Sequence, residues 1–381
     1  MQVLMIGWEF PPSKTGGLGT HCYELVKNLS QKGVGVTLLI PKRSGNVQHD
    51  IPNVEIIEVG STVLNPYSSK MPEGQTFEKG YGWNLFQEVN AYNKKCVDVA
   101  KDRHFDLIHC HDWMTVNAGI ELKRLTGKKL VFTMHSTEYD RTTNMYPMDM
   151  IVNTEKVGMD NSDFVITNSE GMKKQLNERY DIKNEKITVV YNGIDRNKYM
   201  GLTEKGSKSI LFLGRLTSQK GPFYFLQAAK KVLEKRKDVN FIVCGEGEKM
   251  VDMVNMAVKM GIMKNMIFTG FLSEEDVLKA YATADVYVMP SVSEPYGITA
   301  LEAAASGTPV IVSKNAGVAE QMVHCFKVDF WDTHEMANMI LGLLKYKVLK
   351  ECMRKNCYKE VENFGWDKVA EKTLCVYRRA L

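Results

Sequence analysis

A chain of 381 residues exceeds one ordinary domain and suits two of about 190 residues each. Its 44% hydrophobic and 25% charged composition is that of a soluble globular protein, and a net charge of +4 creates no need for nucleic acid or an anionic membrane as partner. The eight cysteines include no Cys-x-x-Cys pair, which points to reduced thiols in a cytoplasmic protein and away from a disulfide frame or a cysteine zinc site. No apolar run approaches membrane-spanning length, and the N-terminus enters a strand directly, with no signal-peptide cleavage site.

The first strand is Met1 to Gly7, followed by the loop Trp8-Glu9-Phe10-Pro11-Pro12-Ser13-Lys14-Thr15-Gly16-Gly17-Leu18-Gly19. A helix is expected from about Thr20 to Gln31, and a second strand from Val34 to Ile40. Strand, Gly-rich loop, helix and strand open a doubly wound α/β domain. The glycines fall at 7, 16, 17 and 19, so the Gly-x-Gly-x-x-Gly fingerprint is missing and an NAD enzyme is disfavoured. Gly16 and Gly17 would let backbone N–H groups approach a phosphate or sugar, with Lys14 adding charge; a plain surface turn is the competing reading.

Residues 41–80 are polar and turn-rich and carry no legible function. A helix is expected over Trp83 to Asp102, then a strand, Phe105 to Ile108, ending in His109-Cys110-His111-Asp112-Trp113. Two histidines at i and i+2 suggest a metal, but no carboxylate or third ligand has convincing spacing, and no metal is expected. Leu130 to His135 is the next strand, with His135 at its carboxyl end, where ligands of open α/β sheets collect. A lone histidine there is more often a satisfied polar residue than a catalytic one. Asp163 to Ser169 and Lys186 to Tyr191 complete the first domain, and Asn192-Gly193-Ile194-Asp195 turns into a polar stretch that marks the boundary.

The second domain restarts with a strand at Ser209 to Leu213 and the loop Gly214-Arg215-Leu216-Thr217-Ser218-Gln219-Lys220-Gly221. Arg215 and Lys220 at a strand's carboxyl end can clamp a pyrophosphate from two sides, or be two solvated charges. The basic face at Lys230, Lys231 and 235–237 reads as solvated, a membrane role being the minor alternative. Strands follow at Asn240 to Cys244 and from Ile267 into the loop Phe271-Leu272. The stretch Pro290-Ser291-Val292-Ser293-Glu294-Pro295-Tyr296-Gly297-Ile298-Thr299-Ala300-Leu301-Glu302 follows a buried strand end. Pro295 keeps Glu294 out of helical backbone space, and a helix starts near Gly297 and ends at Gly307. Glu294 thus lies above the helix N-terminus and Glu302 about two turns in. That terminus suits a phosphate, and the carboxylates suit ribose or hexose hydroxyls.

Glu-x7-Glu within Glu-Pro-Tyr-Gly and Ala-Ser-Gly-Thr-Pro-Val resembles the retaining family-4 glycosyltransferases, and Lys-Thr-Gly-Gly-Leu and His-x-His-Asp-Trp resemble glycogen and starch synthases in particular. The resemblance implies an α/β GT-B fold: two Rossmann-like doubly wound domains facing across a cleft, 1–192 and 193–360, with a helix at 361–381 crossing back to the first. It implies His135, Glu294 and Asp112 as catalytic, and Lys14, Gly16, Gly17, Arg215, Lys220, Gly297, Ile298 and Thr299 on the donor phosphates. Glu302 and Tyr296 would meet ribose or sugar, and Phe271 and Leu272 would lie near the base. The implied partners are a nucleotide-sugar and a glucan or other carbohydrate acceptor, with no cofactor and no metal; no Asp-x-Asp occurs in the chain. The expected reaction moves glucose from ADP-glucose or UDP-glucose to a glucan end. Lipid, small-sugar or sugar-phosphate acceptors are the alternative, and a nucleotide-sugar epimerase is the alternative of another class.

Overall fold

A computed structural model describes residues 1–13, 16–43, 47, 49–60, 83–199 and 208–381, without the side chains of residues 83 and 84. The chain forms two compact units. The first comprises Met1–Glu138, Tyr146–Asn192 and Trp366–Leu381, and the second Tyr139–Met145 and Gly193–Gly365. Among the described residues no helix is long and apolar enough to cross a membrane, and all eight cysteines are free thiols.

The first unit is built on strands β1 (Gln2–Ile6), β2 (Gly35–Pro41), β3 (Val54–Val59), β4 (Leu107–His111), β5 (Lys129–Met134), β6 (Phe164–Thr167) and β7 (Ile187–Val189). They form one parallel sheet in the order β3-β2-β1-β4-β5-β6-β7. Parallel strands covered on both faces must be apolar on both; hence Val3, Leu4, Met5 and Ile6 of β1 are all buried. The helix after β1 starts at Gly17, three residues before the expected Thr20. Its apolar stripe (Cys22, Leu25, Val26, Leu29) overrides the weak helix propensity of Gly17 and Gly19. The helix before β4 runs Trp83–Ala100. Strand β7 is shorter than the expected Lys186 to Tyr191, because Lys186 closes a 3₁₀ turn over Asn184–Lys186. The C-terminal helix Trp366–Ala380 belongs to this unit, with Val369, Leu374 and Tyr377 buried.

The second unit repeats the plan with β8 (Ser209–Leu213), β9 (Asn240–Cys244), β10 (Met266–Gly270), β11 (Val286–Met289), β12 (Val310–Ser313) and β13 (Phe326–Val328). The parallel order is β10-β9-β8-β11-β12-β13. Its core joins Ile210 and Phe212 of β8 to Phe225, Leu226 and Val232 of the helix Pro222–Lys235. In each unit the strand order reverses beside the first strand, between β1 and β4 and between β8 and β11. Ligands of open α/β sheets bind beyond the carboxyl ends at such a switch point.

Candidate functional site

In the second unit the switch point is made by the loops after β8 and β11. Gly221 carries φ of 66°, and a Cβ on it would lie 2.0 Å from the carbonyl oxygen of Pro290. Only glycine allows that approach, and the Val292 N–H donates to the Gln219 carbonyl at 2.9 Å. The result brings together two residues singled out in the sequence: Lys220 Nζ donates to Glu294 Oε2 at 2.6 Å. Ser291 Oγ donates to the same carboxylate oxygen at 3.2 Å. The Glu294 backbone carbonyl accepts the Gly317 N–H at 3.0 Å, so the loop is pinned on both sides. Arg215 lies half-buried on the loop after β8.

The helix after this loop spans Ile298–Ala305. Gly297 precedes it with φ of 102°, and a Cβ there would meet the Met289 side chain at 2.9 Å. Ile298 is buried, and Thr299 Oγ1 lies 2.9 Å from the Tyr287 hydroxyl. Glu302 stands four residues past Ile298, little more than one turn in rather than two. The Tyr281 hydroxyl donates to its Oε2 at 2.8 Å, and the Tyr199 hydroxyl bonds to the same side chain. Tyr296 is turned inward: its ring is buried and its hydroxyl donates to Gln321 Oε1. The structure thus uses Tyr296 in packing, with its polar end already occupied. Phe271 follows β10 and is exposed, with Leu272 half-buried beside it.

The corresponding edge of the first unit is chemically different. His109 and His111 end β4, and His135 follows β5. His111 Nδ1 and His135 Nε2 share a hydrogen bond of 2.9 Å. His109 is held by the Tyr377 hydroxyl at 2.6 Å and by Thr133 Oγ1 at 2.7 Å. A fourth histidine joins them from the first helix: His21 Nδ1 lies 2.7 Å from Asn192 Oδ1, and its ring packs edge-on to His135 with centroids 4.5 Å apart. Burial lowers the pKa of all four below the usual imidazole value, His135 to about 3, so each is neutral at pH 7. One ring nitrogen from each of His21, His111 and His135 lies within 4.8 Å of the other two, a spacing that can hold a metal ion.

Asp112 is 2% exposed and has φ of 59° and ψ of 169°, a region almost reserved for glycine. Its Oδ1 accepts the His135 backbone N–H at 2.7 Å, and Asn168 Nδ2 donates to the His135 carbonyl at 3.0 Å. Asp112 therefore positions His135. Gly16 precedes the first helix in extended conformation, with open space where a Cβ would point, and Gly17 is the first helical residue. Lys14 lies outside the described residues. His21 was missed by the sequence reading. The available signal was its place one turn into the helix that follows β1, on the edge that also bears His111 and His135.

Two parallel Rossmann-like units, each with polar residues gathered at its switch point, define a GT-B glycosyltransferase architecture. The sequence comparisons agree. Residues 15–198 match the family described as Glycosyltransferase Family 4, and residues 195–360 match Glycosyl transferases group 1. An uncharacterised glycosyltransferase of Methanocaldococcus jannaschii is 32% identical, across 100% of this chain and 99% of its own. A glycogen synthase of Mycobacterium tuberculosis is 28% identical over 85% of this chain and 80% of its own. The solved sucrose-phosphate synthase from Thermosynechococcus elongatus has the same fold, with a TM-score of 0.82 at 19% identity over 99% of this chain and 98% of that one. The chain belongs to the family-4 glycosyltransferases of the GT-B fold.

Proposed function

We propose that the protein transfers glucose from ADP-glucose or UDP-glucose to the end of an α-1,4-glucan, with retention of configuration. The observation that carries the donor half of this reading is the meeting of Lys220 and Glu294 at the β8/β11 switch point. A cation and a carboxylate held in contact by a glycine-dependent loop offer a partner for a phosphate and a partner for a sugar hydroxyl at one place. The glucan half is supported by the match with a glycogen synthase over most of both chains and by the Lys14-Thr15-Gly16-Gly17-Leu18 motif.

In the reaction the bond from the anomeric carbon to the diphosphate oxygen breaks as the acceptor hydroxyl bonds to that carbon from the same side. The hydroxyl proton passes to the departing phosphate oxygen. Negative charge growing on the diphosphate is the largest electrostatic demand. Arg215, Lys220 and the helix N-terminus at Gly297, Ile298 and Thr299 are assigned to it in the second unit, and Lys14, Gly16 and Gly17 in the first. These groups supply the charge without a divalent metal. Glu302 is assigned to the ribose: a carboxylate has about four lone-pair sites, so the tyrosine bonds leave it able to accept ribose hydroxyls. Glu294 is assigned to a donor-sugar hydroxyl. His135, neutral and held by Asp112, is assigned to the sugar as a hydrogen-bonding group rather than as a charge.

The test is to incubate the enzyme with each labelled glucose donor and glycogen or maltooligosaccharides, then digest the product with an α-1,4-specific amylase. The reading predicts glucan extension that amylase removes. Transfer only to a lipid, small sugar or sugar phosphate would keep the class and overturn the acceptor. Conversion of the donor sugar with no acceptor present would indicate an epimerase.

A further inference from the structure

The helix Ile298–Ala305 is buried at every position except Thr299 and Glu302. Three residues apart, these two half-buried polar side chains share one helical face. Each is met there by tyrosine hydroxyls from outside the helix. Tyr287 of β11 places its hydroxyl 2.9 Å from Thr299 Oγ1. Tyr281, near the end of the helix Glu274–Thr283, donates to Glu302 Oε2 at 2.8 Å. Tyr199, which closes the 3₁₀ turn Arg196–Tyr199, bonds to the Glu302 side chain as well. The three rings pack in a row: centroids are 6.4 Å apart for Tyr199 and Tyr281, and 5.8 Å for Tyr281 and Tyr287. Burial above all, then the Glu302 charge, raises the pKa of Tyr199 and Tyr281, so both hydroxyls stay protonated and donate.

We propose that Tyr281 and Tyr199 are positioning residues for the nucleotide: their hydroxyls fix the Glu302 carboxylate so that its remaining lone pairs accept the ribose hydroxyls. The proposal rests on the reading of Glu302 as the ribose partner. Packing alone would be met by phenylalanine, whose ring fills the same space; the hydroxyls serve the carboxylate. A glutamate side chain turns about three bonds, and a ligand that has to order it bears the lost rotamer freedom. Two hydroxyls that hold the carboxylate beforehand remove that loss from binding. The ribose lies away from the anomeric carbon, so the effect falls on nucleotide affinity and leaves the chemical step alone. Tyr287 bonds to Thr299, a residue assigned to the phosphates, and so gives the comparison within the same row of rings.

The experiment measures by calorimetry the Kd of ADP and of UDP, and of the 2′,3′-dideoxy form of whichever binds more tightly. In the wild type, loss of the ribose hydroxyls should weaken binding about 10- to 100-fold, as for hydrogen bonds to a charged group. Glu302→Ala should erase that discrimination. Tyr281→Phe removes one oxygen and no packing. It should weaken the parent nucleotide about tenfold, leave the dideoxy form as it was, and keep kcat at saturating donor. Tyr199→Phe should act in the same way, whereas Tyr287→Phe should weaken both nucleotides equally. Circular dichroism establishes that each variant is folded, and Tyr199→Phe decides the matter should Tyr281→Phe not fold. Binding of neither nucleotide, or discrimination that survives Glu302→Ala, would remove the ribose reading and the proposal with it. Discrimination that Glu302→Ala erases but the Tyr281 and Tyr199 variants leave intact would overturn the positioning role alone. So would equal losses on the two nucleotides in those variants, the mark of disturbed packing.

Discussion

In the first unit the edge beyond β4 and β5 is lined by imidazoles that burial keeps neutral, and the buried carboxylate of Asp112 is turned to the backbone of His135. In the second the edge beyond β8 and β11 holds a lysine paired to a glutamate. The same sheet plan is thus filled with opposite chemistry. Neutral hydrogen-bonding groups suit a sugar, whose hydroxyls carry no net charge. Formal charge suits a diphosphate, whose leaving oxygen gains charge as the bond breaks. Both edges use a residue at positive φ: Asp112 in the first unit, where the conformation is strained and its carboxylate holds the His135 backbone, and Gly221 in the second, beside Lys220, where glycine adopts it freely.

The sharpest way to break this contrast is to remove its charged side. Glu294→Gln or Lys220→Ala should lower kcat/KM for transfer about 10²–10³-fold, an electrostatic contribution of about 2.7–4 kcal/mol. His135→Ala should act mainly on kcat, because a neutral ring that orients the sugar contributes through positioning. Equal losses in donor affinity for the Lys220 and His135 variants would erase the difference between the units.

Gly221→Ala addresses the scaffold of the same site. The new Cβ would stand 2.0 Å from the Pro290 oxygen at φ of 66°, and backbone strain of this kind costs of order 1–3 kcal/mol. Gly127→Ala is the comparison, since φ there is 69° but nothing lies within 4 Å. Urea midpoints should fall further for Gly221→Ala; a similar loss for both would mean that the contact between the β8 and β11 loops does not matter.

A smaller effect separates the units by pH. Unfolded histidines titrate near 6.5, whereas burial puts His135 at about 3 and lowers His21, His109 and His111 as well. Below pH 6.5 the unfolded chain therefore binds more protons than the folded one, and stability falls as pH falls toward 3, with no further gain above 6.5. Unfolding followed by tryptophan fluorescence, with four of the five tryptophans (Trp8, Trp83, Trp113 and Trp366) in the first unit and Trp331 in the second, should show a lower urea midpoint at pH 5 than at pH 7. His135→Gln should flatten that slope, and an unchanged slope would contradict the burial argument.

Much of this was legible in the sequence. Apolar runs as short as Val3 to Ile6, closed by Gly7, read as buried parallel strands, and Pro295 with Gly297 fixes where the loop after β11 ends and its helix begins. The Arg215, Lys220 and Glu294 loops could be found because each follows directly on its strand. His21 had only its place one turn into the first helix as a signal, because its partner Asn192 is 171 positions away and only the fold brings the two together. The burial of Tyr296 and the bond from its hydroxyl to Gln321 were not legible, because a tyrosine beside a functional glutamate looks the same in sequence whether its ring faces ligand or core. The helix start was placed late because the glycines at 17 and 19 speak against a helix locally, while the burial of Cys22, Leu25 and Leu29 decides for it. The segment Tyr139–Met145 groups with the second unit although its sequence neighbours belong to the first; Ser293 Oγ donates to Asp140 Oδ1 at 2.7 Å, a contact that no local pattern announces.

The most direct test of the central claim is donor binding, read as the shift in unfolding free energy with ADP-glucose, UDP-glucose, GDP-mannose and UDP-GlcNAc, for the wild type and for Lys220→Ala. A donor present at about 100 times its dissociation constant stabilises the folded state by roughly 2.7 kcal/mol. The account predicts such a shift with a glucose donor and its loss in Lys220→Ala. A shift with only mannose or GlcNAc donors, or one that Lys220→Ala leaves intact, would contradict it.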